Sequence, residues 1–308
     1  MKKAAIIGSG PAGLTCAEQL NQAGFSVTVF DELKEFGGML AYGIPEFRIP
    51  LSNAKERVQA LENKGVLFKK KKILSIKKLL LKFGGEFDVV VIAIGAGAGS
   101  KAGFDGEGEK GVIDALDFLS KSKLAHKKLI SKGETVAVIG GGNSAMDAAR
   151  VAKRMGGEVT ILYRRTENEM PALKSEIEGT KKDGIVFEFL KSPSKFVCEK
   201  NKKSKLICNE LVLGEEDASG RKRPVETGKM SEREFDKIIS AIGQQQDFLW
   251  LEEEGVKTNG KIILIDSNYS TSLEGVYACG DCVTGAKTIG EATLGGLKTA
   301  KSIISNCK

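Results

Sequence analysis

One pattern occurs twice in the chain, and few folds accommodate it. Residues 3–31 read KAAIIGSGPAGLTCAEQLNQAGFSVTVFD, and residues 135–165 read TVAVIGGGNSAMDAARVAKRMGGEVTILYRR. Each copy opens with a short unbroken apolar run, the pattern of a parallel strand covered on both faces. A Gly-rich turn follows, then an Ala-rich segment of helical period, a glycine, and a second β-branched run. This repeat predicts an α/β chain with two Rossmann-like dinucleotide-binding domains. Each copy has a later buried-strand signature ending in Ile-Gly, DVVVIAIG at 88–95 and DKIISAIG at 236–243. The second domain is therefore expected to be inserted into the first, with 1–105 and 246–308 forming one and 106–245 the other. The Gly-rich stretch 99–112 would carry the crossing. Alternating residues over 185–226, with turn signals such as Ser219-Gly220, predict an antiparallel hairpin on the inserted domain.

Composition narrows the chemistry. The 308 residues include 37 glycines, a density that suits tight turns and close backbone approach to a ligand. The formal charge of +7 is mostly lysine. The runs at 69–72 and 200–205 are read first as solvated surface, with steering of an acidic iron–sulfur partner as the alternative. No interleaved aromatics mark a nucleic-acid site. The single histidine, His126, lies in a lysine-rich stretch and reads as a surface residue. Six scattered cysteines, Cys307 among them, show neither a disulfide framework nor an iron–sulfur run. No apolar run approaches the roughly 18 residues that span a bilayer, and no leader is recognised. A reducing, cytoplasmic setting without membrane or metal is expected.

In the first repeat, Gly8, Gly10 and Gly13 form G-x-G-x-x-G between strand and helix. Gly8 permits the turn, Gly10 lets the backbone approach a pyrophosphate, and Gly13 lets the helix pack closely on the strand. Pro11 and Ala12 open the helix whose N-terminus would face the anion. Asp31, with Glu32 beside it, ends the second strand where ribose hydroxyls would lie. Near the other end of the chain, 270–281 (STSLEGVYACGD) runs into Gly280-Asp281, placed to hydrogen-bond the ribityl chain of an extended flavin. The segment 288–298 reads as a helix start able to stabilise negative charge on a reduced ring. These features point to FAD in the first unit.

Two longer segments carry a family resemblance. GGMLAYGIPEFRIP at 37–50 and YRRTENEMPA at 163–172 resemble the corresponding stretches of the small (beta) subunit of glutamate synthase and its relatives, FAD- and NAD(P)H-dependent oxidoreductases with two dinucleotide-binding domains. The match runs from Lys3 to about Ser302. It implies that Gly38, Met39 and Arg48 lie along the flavin, that Gly95 belongs to the same site, and that Thr288 and Ile289 offer backbone N–H groups to the ring. The glutamate synthase subunit also carries an N-terminal iron–sulfur domain, whereas this sequence starts at the flavin unit. Glutamate synthesis is therefore left open as its role.

In the second repeat, Gly140, Gly142 and Ala145 supply the fingerprint, and Asn143 and Ser144 start the helix that would hold a pyrophosphate. Tyr163 falls where Asp31 falls in the first unit, followed by Arg164 and Arg165. Two guanidinium groups in place of an acid fit the 2′-phosphate of NADPH. The alternative is that they pair with Glu167 or Glu169. The chemistry expected is hydride transfer from NADPH to FAD without a catalytic side chain, then electron transfer to an iron–sulfur protein or larger redox subunit. Cys279 and Cys282 have redox spacing, so a stand-alone NADPH-dependent disulfide or small-molecule reductase, as in thioredoxin reductases, is the second reading.

Overall fold

The computed structural model describes residues 1–125, 127–198, 204–217 and 220–306. His126, Ser219, Cys307 and most of the lysine run at 200–205 lie outside the described residues. The chain divides into two compact units, Met1–Ala98 with Gln244–Lys308, and Gly99–Gly243.

The first unit holds a five-stranded parallel sheet in the order Val276–Ala278, Val89–Ile92, Lys3–Ile7, Ser26–Asp31, Leu67–Lys70. Successive strand residues point to opposite faces, and both faces are dry. Ala4, Ile6, Val27, Val29, Val89 and Val91 meet Leu14, Leu20, Val58, Leu61, Ala300 and Ile303 from three helices, Pro11–Gln22, Leu51–Asn63 and Ile289–Asn306. Ala5, Ile7, Phe30, Val90 and Ile92 meet Ile73, Ile76, Leu80, Phe87, Phe248, Leu251 and Ile263, mostly from irregular chain. This double burial explains why the strands read as unbroken apolar runs. The Leu67–Lys70 strand is an edge, which lets the lysine run begin there: its side chains are exposed to half-buried.

The second unit repeats the plan with the order Val112–Asp114, Lys237–Ser240, Thr135–Ile139, Glu158–Tyr163, Val186–Phe189, again all parallel. Helices Ala115–Ala125 and Asn143–Arg154 cover one face. An antiparallel sheet of Lys191–Val197, Ser204–Glu216 and Lys222–Phe235 contributes Phe196, Leu206, Cys208 and Phe235 to the core on the other. The expected hairpin is thus three strands reaching residue 235, longer than the alternation over 185–226 indicated. Its outer strand is solvated nearly throughout, so it carries little apolar pattern to read.

Candidate functional site

The glycine turn of the first unit follows the Lys3–Ile7 strand. Gly8 has φ +107°, and a Cβ there would sit 2.2 Å from the Ala93 carbonyl oxygen. A Cβ on Gly13 would sit 2.0 Å from the Gly8 carbonyl, so helix and strand approach more closely than any side chain permits. Gly10 differs. Its φ is −68°, and a Cβ would meet no protein atom within 4 Å. The space beside it is open, at the N-terminus of Pro11–Gln22, where first-turn N–H groups lack intrahelical acceptors.

Ser9, which the sequence reading missed, organises this turn. Its N–H and Oγ–H both donate to Asp31 Oδ2, at 2.8 and 2.5 Å, while its Oγ accepts the Gly37 N–H at 2.9 Å. Asp31 Oδ1 accepts the Leu33 N–H at 2.9 Å. Asp31 therefore ties the glycine turn to the following loop and keeps only spare lone-pair capacity for a ribose. Glu32 is exposed and pairs with Lys72 at 3.0 Å. Gly38 is laid against the turn, since a Cβ there would come 2.7 Å from Gly10 Cα, and Met39 opens the short helix Met39–Tyr42. Arg48 is half-buried, with its N–H on the Pro45 carbonyl at 3.0 Å. Gly95, with φ +77°, follows the Val89–Ile92 strand.

The chain's other end arrives beside this turn. A Cβ on Gly280 would meet Ala12 Cβ at 2.8 Å, and one on Gly296 would meet the Ala12 carbonyl at 2.2 Å. Asp281 therefore lies near the start of the first helix. Its Oδ1 is buried with no hydrogen-bond partner among the described residues, although the Lys287 backbone N–H interacts with the carboxylate and opposes its rise in pKa. Desolvation, with a smaller push from Glu291, moves its pKa up to about 6. A buried acceptor with no donor is costly, and a hydroxyl brought by a ligand would satisfy it. The residues present thus fit the ribityl chain of FAD. Thr288 and Ile289 differ from each other. Thr288 donates its N–H to Glu291 Oε2 at 3.1 Å, so only Ile289 and the Gly290 beyond it retain first-turn N–H groups for a ring.

In the second unit, a Cβ on Gly140 would lie 2.2 Å from the Ala241 carbonyl, and one on Gly142 would meet nothing within 4 Å. The arrangement repeats the closed and open glycines of the first unit. Ala145 is fully buried beneath the helix, and Ser144 is half-buried in its first turn. Asn143 Oδ1 accepts the Leu173 N–H at 3.0 Å. The Tyr163 ring packs against Gly141, and its hydroxyl donates to the Glu169 carbonyl at 2.8 Å.

The two arginines separate. Arg164 is exposed, without an ion-pair partner among the described residues. Arg165, expected beside it at the ribose, is instead 4% exposed and turned inward. Its Nε donates to the Lys222 carbonyl at 2.7 Å and its Nη2 to Asp217 at 2.6 Å. Consecutive residues of an extended chain point to opposite sides, so one basic side chain is exposed and the other anchors the antiparallel sheet. Neither pairs with the acids weighed from sequence. Glu167 pairs with Lys181 at 2.6 Å, and Glu169 accepts from the Thr166 hydroxyl at 2.5 Å, the main cause of its lowered pKa.

Cys279 and Cys282 are free, buried thiols in the first unit. Burial pushes Cys282 up to about 12 and Cys279 well above the usual thiol value. Thiolate chemistry requires the opposite shift. Among the described residues no helix is long and apolar enough to cross a membrane.

Two parallel five-stranded sheets, each with an open glycine turn feeding a helix, define a two-Rossmann-domain fold. The chain belongs to the pyridine nucleotide-disulphide oxidoreductase family, which matches residues 2–296. Members of the family bind FAD and NAD(P)H. It is 39% identical over 307 residues to the NADP(+)-dependent formate dehydrogenase subunit beta of Moorella thermoacetica, covering 98% of this chain and 43% of that one. It is 35% identical to a putative glutamate synthase [NADPH] small chain of Cereibacter sphaeroides, covering 97% of this chain and 75% of that one. The crystal structure of T. acidophilum thioredoxin reductase has the same fold, with a TM-score of 0.77 at 23% identity, covering 100% of this chain and 99% of that one. The chain spans about half the length of several curated relatives it matches, from 43% to 50%.

Proposed function

We propose that the chain is an electron-input module that takes a hydride from NADPH onto FAD and passes electrons to a separate iron–sulfur protein or larger redox subunit. When bound, FAD supplies a two-electron acceptor for the hydride of NADPH and a donor for the next carrier. The chain's own residues supply binding and electrostatics. The orphaned Oδ1 of Asp281 receives a ribityl hydroxyl. The turns at Gly10 and Gly142 admit the pyrophosphates of the two nucleotides, each at a helix N-terminus. The names of relatives as subunit beta and small chain support a role within a larger assembly. The buried, neutral Cys279 and Cys282 speak against the disulfide-reductase reading.

One observation carries the choice of nucleotide. Asp31 closes the ribose end of the first site, whereas the second site has Tyr163 at that position and, after it, the exposed Arg164, which has no ion-pair partner among the described residues. An exposed guanidinium favours a 2′-phosphate, and an acid would repel it. Steady-state kinetics with a dye acceptor tests this. Arg164→Ala should raise the KM for NADPH about tenfold and change that for NADH less than twofold. Equal effects on both nucleotides, or a wild type that prefers NADH, would contradict the assignment.

A further inference from the structure

We infer that Glu291 sets the reduction potential of the flavin, an inference that rests on the flavin-site reading above. Thr288-Ile289-Gly290-Glu291 forms a capping box at the head of the 18-residue helix Ile289–Asn306. Glu291 Oε2 accepts the Thr288 N–H at 3.1 Å and the Thr288 hydroxyl at 2.9 Å, while Thr288 Oγ1 accepts the Glu291 N–H at 3.2 Å. Lys287 Nζ lies 3.3 Å from the other carboxylate oxygen. The carboxylate is therefore held in one place, at the end of the helix expected to face the flavin ring.

That end of a helix carries roughly half a positive charge, which stabilises negative charge placed against it. Glu291 opposes the helix there, and Lys287 partly offsets Glu291. Reduction adds negative charge to the ring. A fixed carboxylate at the donor end makes reduction harder and leaves the reduced cofactor a stronger donor. The same carboxylate reaches Asp281 electrostatically, where it opposes ionisation. Its influence thus extends across the space between the helix head and the orphaned Asp281 oxygen. Side chains with about half their surface exposed act through partly screened fields, so the effect is moderate.

The FAD-loaded wild type, Glu291→Gln and Lys287→Met are titrated with dithionite against a reference dye, without nicotinamide. Glutamine keeps the capping box, so the helix head stays in place. Glu291→Gln should shift the oxidised-to-reduced equilibrium about three- to tenfold toward reduced, a rise of about 15–30 mV for a two-electron couple. Lys287→Met should shift it the other way. Unchanged potentials in both FAD-loaded variants, or shifts of the same sign, would overturn the inference while leaving the site reading intact. If Asp281→Asn binds FAD as tightly as wild type, the site reading itself fails, and the inference with it.

Discussion

Arg164 and Arg165 are neighbours in sequence with different surroundings, and the difference is set by strand geometry. The sequence marks both as candidates for a 2′-phosphate, because charge and position are legible there. Which of two adjacent side chains faces the core depends on what packs on each side. Here Asp217 and the Lys222 carbonyl, more than fifty positions away, decide it. Ser9 went unread for the same reason, since its partners Asp31 and Gly37 meet only in the fold. Arg165→Met should behave unlike Arg164→Ala. Losing its charge-assisted hydrogen bond to the partly exposed Asp217 should cost about 1.5–3 kcal/mol and lower the thermal midpoint, with the KM ratio of NADPH to NADH kept. A selective loss of NADPH would show that Arg165 reads the nucleotide after all. Asp281 allows a pH test. Its pKa in the folded apoprotein is about 6, above the 3.8 of an ordinary Asp, so its contribution to stability is full below about 4 and is lost as pH rises through 6. A ribityl hydroxyl favours the carboxylate and works in the opposite direction. FAD should therefore dissociate more readily at pH 5 than at pH 7.5, and Asp281→Asn should flatten that dependence. FAD affinity that does not change across this range would contradict the role.

Among the elements, the glycine turns show what local sequence can and cannot decide. G-x-G-x-x-G or G-x-G-x-x-A after an apolar run is enough to place a strand, a turn and a helix, and the structure has all three at both repeats. The separate duties of the glycines follow from their surroundings. Gly13→Ala drives a methyl against the Gly8 carbonyl and should destabilise the first unit strongly. Gly10→Ala meets no protein atom and has an ordinary φ, so apoprotein stability should hold while FAD uptake is lost. Calorimetry with and without FAD distinguishes these outcomes. If Gly10→Ala binds FAD normally, the open space beside the turn is not the pyrophosphate site. The strands Leu67–Lys70 and Lys222–Phe235 were harder to read. Both are solvated edges whose lysines and glutamates resemble loop composition.

Across the whole chain, the two repeats and their later Ile-Gly strands foretold two parallel sheets, because doubly buried strands have a distinctive composition. The acceptor of the electrons leaves no comparable mark. A surface that meets another protein need not differ from solvated surface, and the lysine run from 69 to 72 is compatible with both. The thiol pair yields a clearer test. A Cys279→Ser/Cys282→Ser variant should keep NADPH-dependent dye reduction within about twofold of wild type, since both sulfurs are buried and neutral. Loss of that activity in a variant that still binds FAD would revive the disulfide reading. The central claim, that NADPH reduces a flavin held by this chain, is tested most directly by anaerobic titration of the FAD-loaded protein, followed through the visible flavin band. Bleaching is expected at about one equivalent of NADPH, with a much weaker response to NADH. A protein that holds FAD yet stays yellow with NADPH, or that bleaches equally well with NADH, would contradict it.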